Sequence, residues 1–474
     1  MELARDAFVD GTWHATARRF AVRDPFDGAP IAEVADADDA LIDRAIASAG
    51  RAAPAWRRTP GPERGKLLAE LARRMLGDER RLAELCTREN GKPIAESAAE
   101  VRYAASFFAW FAGEAERGYG ETIPASHADQ RLLVLREPVG PCAVITPWNF
   151  PYAMLTRKLG AAFAAGCTVV AKPAEQTPLG ALAIAQLAEA IGLPRGVLSI
   201  VPAADGPRAG GRLVASRAIR KVSFTGSTEV GRAIMRTCAD DLKRVSLELG
   251  GNAPFVVLGD ADIDAAVAGA MIAKFRNAGQ SCVAANRFVL EAPIEAAFSR
   301  AFVAAIARLA VGRGSDPGVD LGPLIDDDAV AKAKRLVDDA IARGARVVHG
   351  APPDGRSRVV APVVLAGITS EMAIWREEIF APVVALRTAR DEADAIALAN
   401  DTDAGLVAYL YTRDGARQRR VAEALEAGMI GLNEGLVSTA QAPFGGIKHS
   451  GIGREGSRHG LDDYTQWKYI ATRI

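Results

Sequence analysis

Pairs of metal- or redox-type residues are what this chain of 474 residues mostly lacks. It has five histidines, none in an H-x-x-H or H-E-x-x-H pattern. The five cysteines, Cys86, Cys142, Cys167, Cys238 and Cys282, are odd in number and scattered, with no metal-ligand spacing. A zinc site and a disulfide framework are therefore not expected. No long apolar run is present either: Leu159 to Ala171 is the longest, too short to span a bilayer. The start, Met1-Glu-Leu-Ala-Arg-Asp6, has no basic segment followed by an apolar one, so no secretion signal is expected. Nor is there an excess of either charge. Lys plus Arg and Asp plus Glu both total 58, which favours neither nucleic acid nor an anionic membrane as partner. A reducing cytoplasm, where free thiols persist, is the expected location.

What is present is the length for two to three domains and an ordinary globular composition, 49% apolar. Residues 1–60 read as short strands, a turn at Asp24–Gly28, and then helical sequence. From Glu63 to about Ala112 apolar residues recur at helical spacing, interrupted at Asn90-Gly-Lys-Pro93. Residues 118–140 alternate apolar and polar and predict a two-stranded excursion, of the kind often paired with another chain. From Cys142 onward strand-like and helix-like stretches alternate, which predicts βαβ units and a parallel sheet covered by helices. A second alternating series runs from Pro254 to about Asn433.

Two glycine patterns fail as phosphate loops. Gly451-Ile-Gly453-Arg-Glu-Gly456 matches G-x-G-x-x-G but follows no predicted strand. Gly226-Ser-Thr-Glu-Val-Gly231 continues with Arg232-Ala233 where a nucleotide-hydrolysing loop needs Lys and Ser or Thr. Phe224-Thr-Gly226-Ser227 does end a predicted strand and open a helix. Free N–H groups there make an anion site suited to a pyrophosphate, with a plain N-cap by Ser227 as the alternative.

Three residues invite a chemical reading. Cys282 follows a Gly279-Gln-Ser turn and precedes an apolar run, although a single cysteine is more often a small buried hydrophobe. Asn149, in Ile145-Thr-Pro-Trp-Asn149-Phe-Pro151, lies where open α/β sheets bind ligands, and its amide can donate to an oxyanion. Glu248, in Ser246-Leu-Glu-Leu-Gly-Gly251, sits between apolar neighbours that raise a carboxyl toward a general base's range.

Together these stretches resemble the aldehyde dehydrogenase superfamily over essentially the whole chain. The markers are Pro147–Pro151, Lys172-Pro-Ala-Glu175-Gln-Thr-Pro178, Phe224–Ser227, Glu248–Gly251, Gly279–Cys282, Glu377-Glu-Ile-Phe380 and Pro443-Phe-Gly-Gly446. The resemblance implies an α/β fold with a Rossmann-like NAD-binding domain (1–117 and 139–249) and an α/β catalytic domain (250–442). It further implies a small β element for oligomerisation (118–138 and 458–474), with 443–457 as a connecting active-site loop. A homodimer or homotetramer is expected.

By the same resemblance Cys282 attacks the aldehyde, and Asn149 with the Cys282 N–H holds the oxyanion. Hydride loss to NAD leaves a thioester, and Glu248 activates the water that hydrolyses it. Family members that transfer the acyl group to coenzyme A generally lack this glutamate, so a free acid is the expected product. Lys172 and Glu175 resemble the pair on the adenine ribose, where a carboxylate repels a 2′-phosphate. NAD is accordingly expected over NADP. Ile145, Thr146, Pro147 and Trp148 resemble further cofactor contacts, as do Pro173, Ala174 and Gly206. Phe224, Gly226, Ser227, Leu249, Glu378 and Phe380 complete that set.

Arg157, Arg276 and Ser438 resemble the carboxylate clamp of the succinate-semialdehyde dehydrogenase branch, with Phe150 beside them. An arginine paired with a structural carboxylate is the alternative. The implied substrate is a small anionic aldehyde, and the resemblance implies no metal. Some branch members carry a second cysteine two residues after the nucleophile; here Ala284 stands there, so no disulfide switch is expected. Ala381 replaces the usual glycine after Phe380, with no catalytic consequence expected.

Overall fold

The computed structural model describes residues 3–474. Strands and helices alternate from Cys142 as the sequence predicts, because β-branched apolar runs such as Cys142–Ile145 and Val169–Lys172 can be buried on both faces. They form an eight-stranded sheet whose five central strands run parallel, in the order Leu198–Ile200, Val169–Lys172, Cys142–Ile145, Lys221–Thr225, Arg244–Glu248. Chain order reverses between Cys142–Ile145 and Lys221–Thr225. That topological switch point opens a crevice at the carboxyl ends of the two strands.

The last of these strands, Arg244–Glu248, passes through Leu249-Gly-Gly-Asn252 into Ala253–Val257 of a seven-stranded sheet. That second sheet is parallel except for the edge strand Arg346–His349. Its core is aromatic: Phe255 stacks on Phe288 with centroids 5.0 Å apart, and Phe288 stacks on Phe302 at 5.2 Å. The seam brings the carboxyl edge of the first sheet to the amino edge of the second, where Cys282 precedes the strand Ala285–Glu291.

Two features differ from the sequence reading. The helical region is three helices, Gly61–Gly77, Glu79–Asn90 and Ile94–Glu114, with an extra break at Asp78. The excursion at 118–140 is two-stranded as read, Glu121–Ile123 beside Gln130–Pro138, and Thr465–Arg473 of the tail pairs along Gln130–Pro138 as a third strand. The tail glycines are no free loop: Gly451–Ile452 adds antiparallel to Leu247–Glu248 as an edge strand of the first sheet. No helix among the described residues is long and apolar enough to cross a membrane.

Candidate active site

Cys282 follows a turn of unusual backbone. Asn277 (φ 49°), Ala278 (φ 53°) and Gly279 (φ 77°) are all left-handed, a conformation that costs about 1–2 kcal/mol for each non-glycine residue. Groups from three other segments hold it. The Asn277 N–H donates to Glu96 Oε2 at 2.7 Å, and the Asn277 amide donates to the Asn149 carbonyl at 2.9 Å. The Gln280 amide donates to the Asn277 carbonyl (3.1 Å), and its oxygen accepts from the Ile325 N–H (2.9 Å).

Asn149 closes this network, donating from Nδ2 to the Gln280 carbonyl at 3.1 Å while its own Oδ1 accepts from the Phe150 N–H. One of its two amide protons remains available. No backbone hydrogen bond among the described residues uses the Cys282 N–H. Beneath lies Lys92, fully buried, donating to the Asn149 carbonyl (2.7 Å) and to Glu100 (2.6 Å).

Cys282, Asn149 and Glu248 line one cavity of about 340 Å³. Burial pushes the Cys282 thiol up to about 12, opposed by Arg157, so it needs a base to become nucleophilic. Glu248 is 2% exposed, and neither carboxyl oxygen has a hydrogen-bond partner in the protein. Burial, and then the charge of Glu455, raise it well above the usual carboxylate range. Two glycines make room at this seam. A Cβ on Gly251 would lie 2.2 Å from the Cys282 carbonyl oxygen, and one on Gly445, in the Pro443–Gly446 marker, would lie 2.9 Å from Glu248 Oε1.

The other expected residues fall into three groups. Pro147, Trp148, Gly226, Ser227, Leu249, Glu378 and Phe380 line the same cavity as Cys282. Ser227 caps the helix Thr228–Ala239, accepting from the Val230 N–H at 3.3 Å, at the crevice of the switch point. Glu378 accepts from the Gly251 N–H (2.9 Å), and burial pushes it up to about 7. The Phe380 and Trp148 rings meet edge to face at 5.7 Å.

A second group lies further along the sheet's carboxyl edge. Lys172 and Glu175 form an ion pair at 3.1 Å, flanking Pro173 and Ala174. A Cβ on Gly206 would lie 3.0 Å from Lys172 Nζ and 3.4 Å from Glu175, so glycine leaves this cradle open. Ile145, Thr146 and Phe224 are buried at strand ends beneath the crevice.

The third group is the expected clamp. Arg157, on the helix Ala153–Ala165, has a fully buried side chain whose Nε lies 2.6 Å from Glu455 Oε2. Its guanidinium stacks 4.2 Å over the Phe444 ring, while Nη1 has no partner. The structural carboxylate foreseen as an alternative thus exists, without using every donor. Arg276 is half-buried over the Phe150 ring (5.5 Å) and makes no ion pair among the described residues. Ser438 is half-buried in the loop before Pro443.

Glu455 was hidden within the dismissed pattern Gly451–Gly456. It is 4% exposed, hydrogen-bonded to Lys158 and ion-paired with Arg157. Burial raises its carboxyl, but the two cations outweigh that and hold it below the usual range. A glutamate between glycines was a weak signal, and nothing in the sequence tied it to Arg157. Lys92 likewise stood in plain view, in the helix break Asn90–Pro93. No histidine lines the Cys282 cavity: His449 bonds Arg232, and His459 pairs with Asp462.

The aldehyde dehydrogenase family model matches residues 13–470. The glutarate-semialdehyde dehydrogenase of Pseudomonas aeruginosa is 48% identical over 98% of this chain and 97% of its own length. GabD of Escherichia coli K12, an NADP(+) succinate-semialdehyde dehydrogenase by name, is also 48% identical, over 98% of this chain and 97% of its own. Among solved structures, that of an E. coli NADP-dependent enzyme superposes with TM-score 0.98 at 47% identity, covering 100% of this chain and 98% of the other. With its switch-point crevice, its cysteine at the seam and relatives matched end to end, this chain belongs to the aldehyde dehydrogenase family.

Proposed function

We propose that this enzyme oxidises a short aldehyde bearing an anionic group at its far end, succinate semialdehyde foremost, to the free acid, with NAD as hydride acceptor. The observation carrying this reading is the coexistence of Cys282 and a partnerless Glu248 in one cavity, with Arg276 six residues before the thiol and in no ion pair among the described residues.

The residues present fit a dinucleotide. Gly206 leaves an open cradle beside Lys172 and Glu175, and Ser227 opens a helix at the crevice where a pyrophosphate is favoured. Glu378 presents a carboxylate suited to ribose hydroxyls, and Trp148 with Phe380 flanks it. When bound, NAD supplies the oxidising power by accepting the aldehyde hydride.

The chain's own residues do the rest. Glu248, once charged, takes the thiol proton, and the Cys282 sulfur bonds to the aldehyde carbon. The resulting oxyanion is held by the spare Asn149 amide proton and the Cys282 N–H. After oxidation leaves a thioester on Cys282 and Glu248 has passed the thiol proton to solvent, Glu248 takes a proton from water as the water oxygen attacks the acyl carbon. The C–S bond breaks, that proton returns to the Cys282 sulfur, and the free acid leaves.

Glu175 supports NAD over NADP, since a 2′-phosphate would face its charge. The NADP-linked names among the relatives make this a property to measure in this chain. Glutarate semialdehyde, 2-oxoglutarate semialdehyde or a sulfonated aldehyde is the second reading, favoured by the equal identity to the glutarate-semialdehyde enzyme. A cysteine hydrolase finds no histidine in the cavity to support it. The domain division at 117, 138, 249, 442 and 457 is retained as part of this reading. So is assembly into dimers or tetramers through the three-stranded sheet, where Trp467 (56% exposed) and Tyr469 (59%) stand out. A cytoplasmic location accords with five free thiols.

The test is a panel of aldehydes followed by NADH absorbance. Preference for succinate semialdehyde over butanal by at least about 100-fold in kcat/KM is expected, and equal rates would overturn the anionic-substrate reading.

A further inference from the structure

The helix Ile94–Glu114 crosses the helix Ala153–Ala165 closely enough that a Cβ on Gly160 would lie 2.8 Å from the Phe111 ring. One turn back, Phe107 lies under the Arg157 guanidinium at 5.8 Å. A further turn back, Tyr103 packs edge-on against Phe107 with centroids 4.8 Å apart. The turn after that carries Glu100, whose Oε1 accepts from the N–H groups of Tyr152 and Ala153. The two helices are thus registered by contacts above and below Tyr103, which is half-buried between them.

The Tyr103 hydroxyl is closed off from solvent and has no hydrogen-bond partner. Leaving a phenol unpaired in the interior costs free energy that a folded protein normally avoids. The same is true of Arg157 Nη1, on the facing helix. Two unpaired donors on facing helices point to an acceptor that the protein itself does not supply. Arg157, Arg276 and the Cys282 thiol act on the phenol through charge, and the Ser438 hydroxyl approaches it without a hydrogen bond of good geometry, so the phenol lies near the thiol and both arginines. Burial raises the phenol above its ordinary value, and it stays a donor throughout the working range.

We infer that Tyr103 is a specificity-determining residue whose hydroxyl donates a hydrogen bond to the anionic end of the substrate, beside Arg157, Arg276 and Ser438. This rests on the anionic-aldehyde reading proposed above. A site built to donate to an oxygen rejects an analogue that lacks it, because the buried donors are then left unpaired.

The test compares Tyr103→Phe and Arg276→Ala with the parent enzyme on succinate semialdehyde and on butanal, which has the same carbon count and no charge. Tyr103→Phe keeps the ring against Phe107 and removes only the hydroxyl. The expected result is a fall of about 10- to 100-fold in the ratio of kcat/KM for succinate semialdehyde to that for butanal, carried by KM rather than kcat. An unchanged ratio in Tyr103→Phe beside a collapsed ratio in Arg276→Ala overturns the role of Tyr103 and leaves the anionic reading standing. Unchanged ratios in both variants overturn the anionic reading and this inference with it. Equal losses on both substrates make Tyr103 a structural residue only, which also overturns the inference.

Discussion

Arg157 and Arg276 look interchangeable in the sequence, yet the molecule treats them differently. Arg157 lies deep between two helices, its charge met by Glu455, whose other neighbour is Lys158. Arg276 stands at the strained turn before the nucleophile, half-buried, with an aromatic ring beneath it and Glu96 within reach of its charge but no ion pair among the described residues. The difference teaches that the first arginine is part of a buried charge network extending to Glu248, while the second is tied into no ion pair. Burying Arg157 is tolerable only because Glu455 compensates it.

That contrast can be broken in order of expected effect. Glu248→Gln removes the base at the end of the buried network, and thioester hydrolysis should slow by about 100- to 10,000-fold, with the NADH burst slowed as well because the same carboxylate takes the thiol proton. Because burial raises the Glu248 carboxyl, its charged form becomes populated only as pH rises. Hydrolysis in the parent enzyme should therefore increase with pH above the ordinary carboxylate range, and the variant should lose that dependence. A variant with parental pH dependence would exclude Glu248 as the base.

Arg157→Ala leaves part of Glu455 buried and uncompensated, which should cost about 3–5 kcal/mol of stability by denaturant midpoint. If its stability matched the parent, the ion pair would not be structural. Arg276→Ala should do the converse. It should lose about 2–3 kcal/mol in kcat/KM for succinate semialdehyde with a Tm shift no greater than that of an ordinary surface change. A large fall in Tm would make the two arginines alike. Smallest, Glu175→Gln, away from both arginines, should raise the kcat/KM ratio of NADP to NAD about 10-fold, and no change would remove Glu175 from cofactor choice.

The alternation of βαβ units was legible because period and turn chemistry are local, and so was the ordered series of motifs around Asn149, Glu248 and Cys282. The joining of 458–474 to the excursion came only through the resemblance, because Thr465–Arg473 pairs with residues more than 300 positions earlier and no local pattern links them. The fate of Gly451–Gly456 was not legible: read alone it resembled a failed phosphate loop, whereas folded it supplies an edge strand and Glu455. Tyr103 carried no motif at all.

By itself, then, the sequence determined which groups are available: one thiol after a Gly-Gln-Ser turn, one glutamate at a glycine seam, two arginines resembling a carboxylate clamp. Only the tertiary structure decided which of them are already satisfied. Pairing between residues hundreds of positions apart depends on how the sheets and helices pack, so Arg157 found Glu455 while Arg276 was left without an ion pair and Glu248 and the Tyr103 hydroxyl without a hydrogen bond of good geometry.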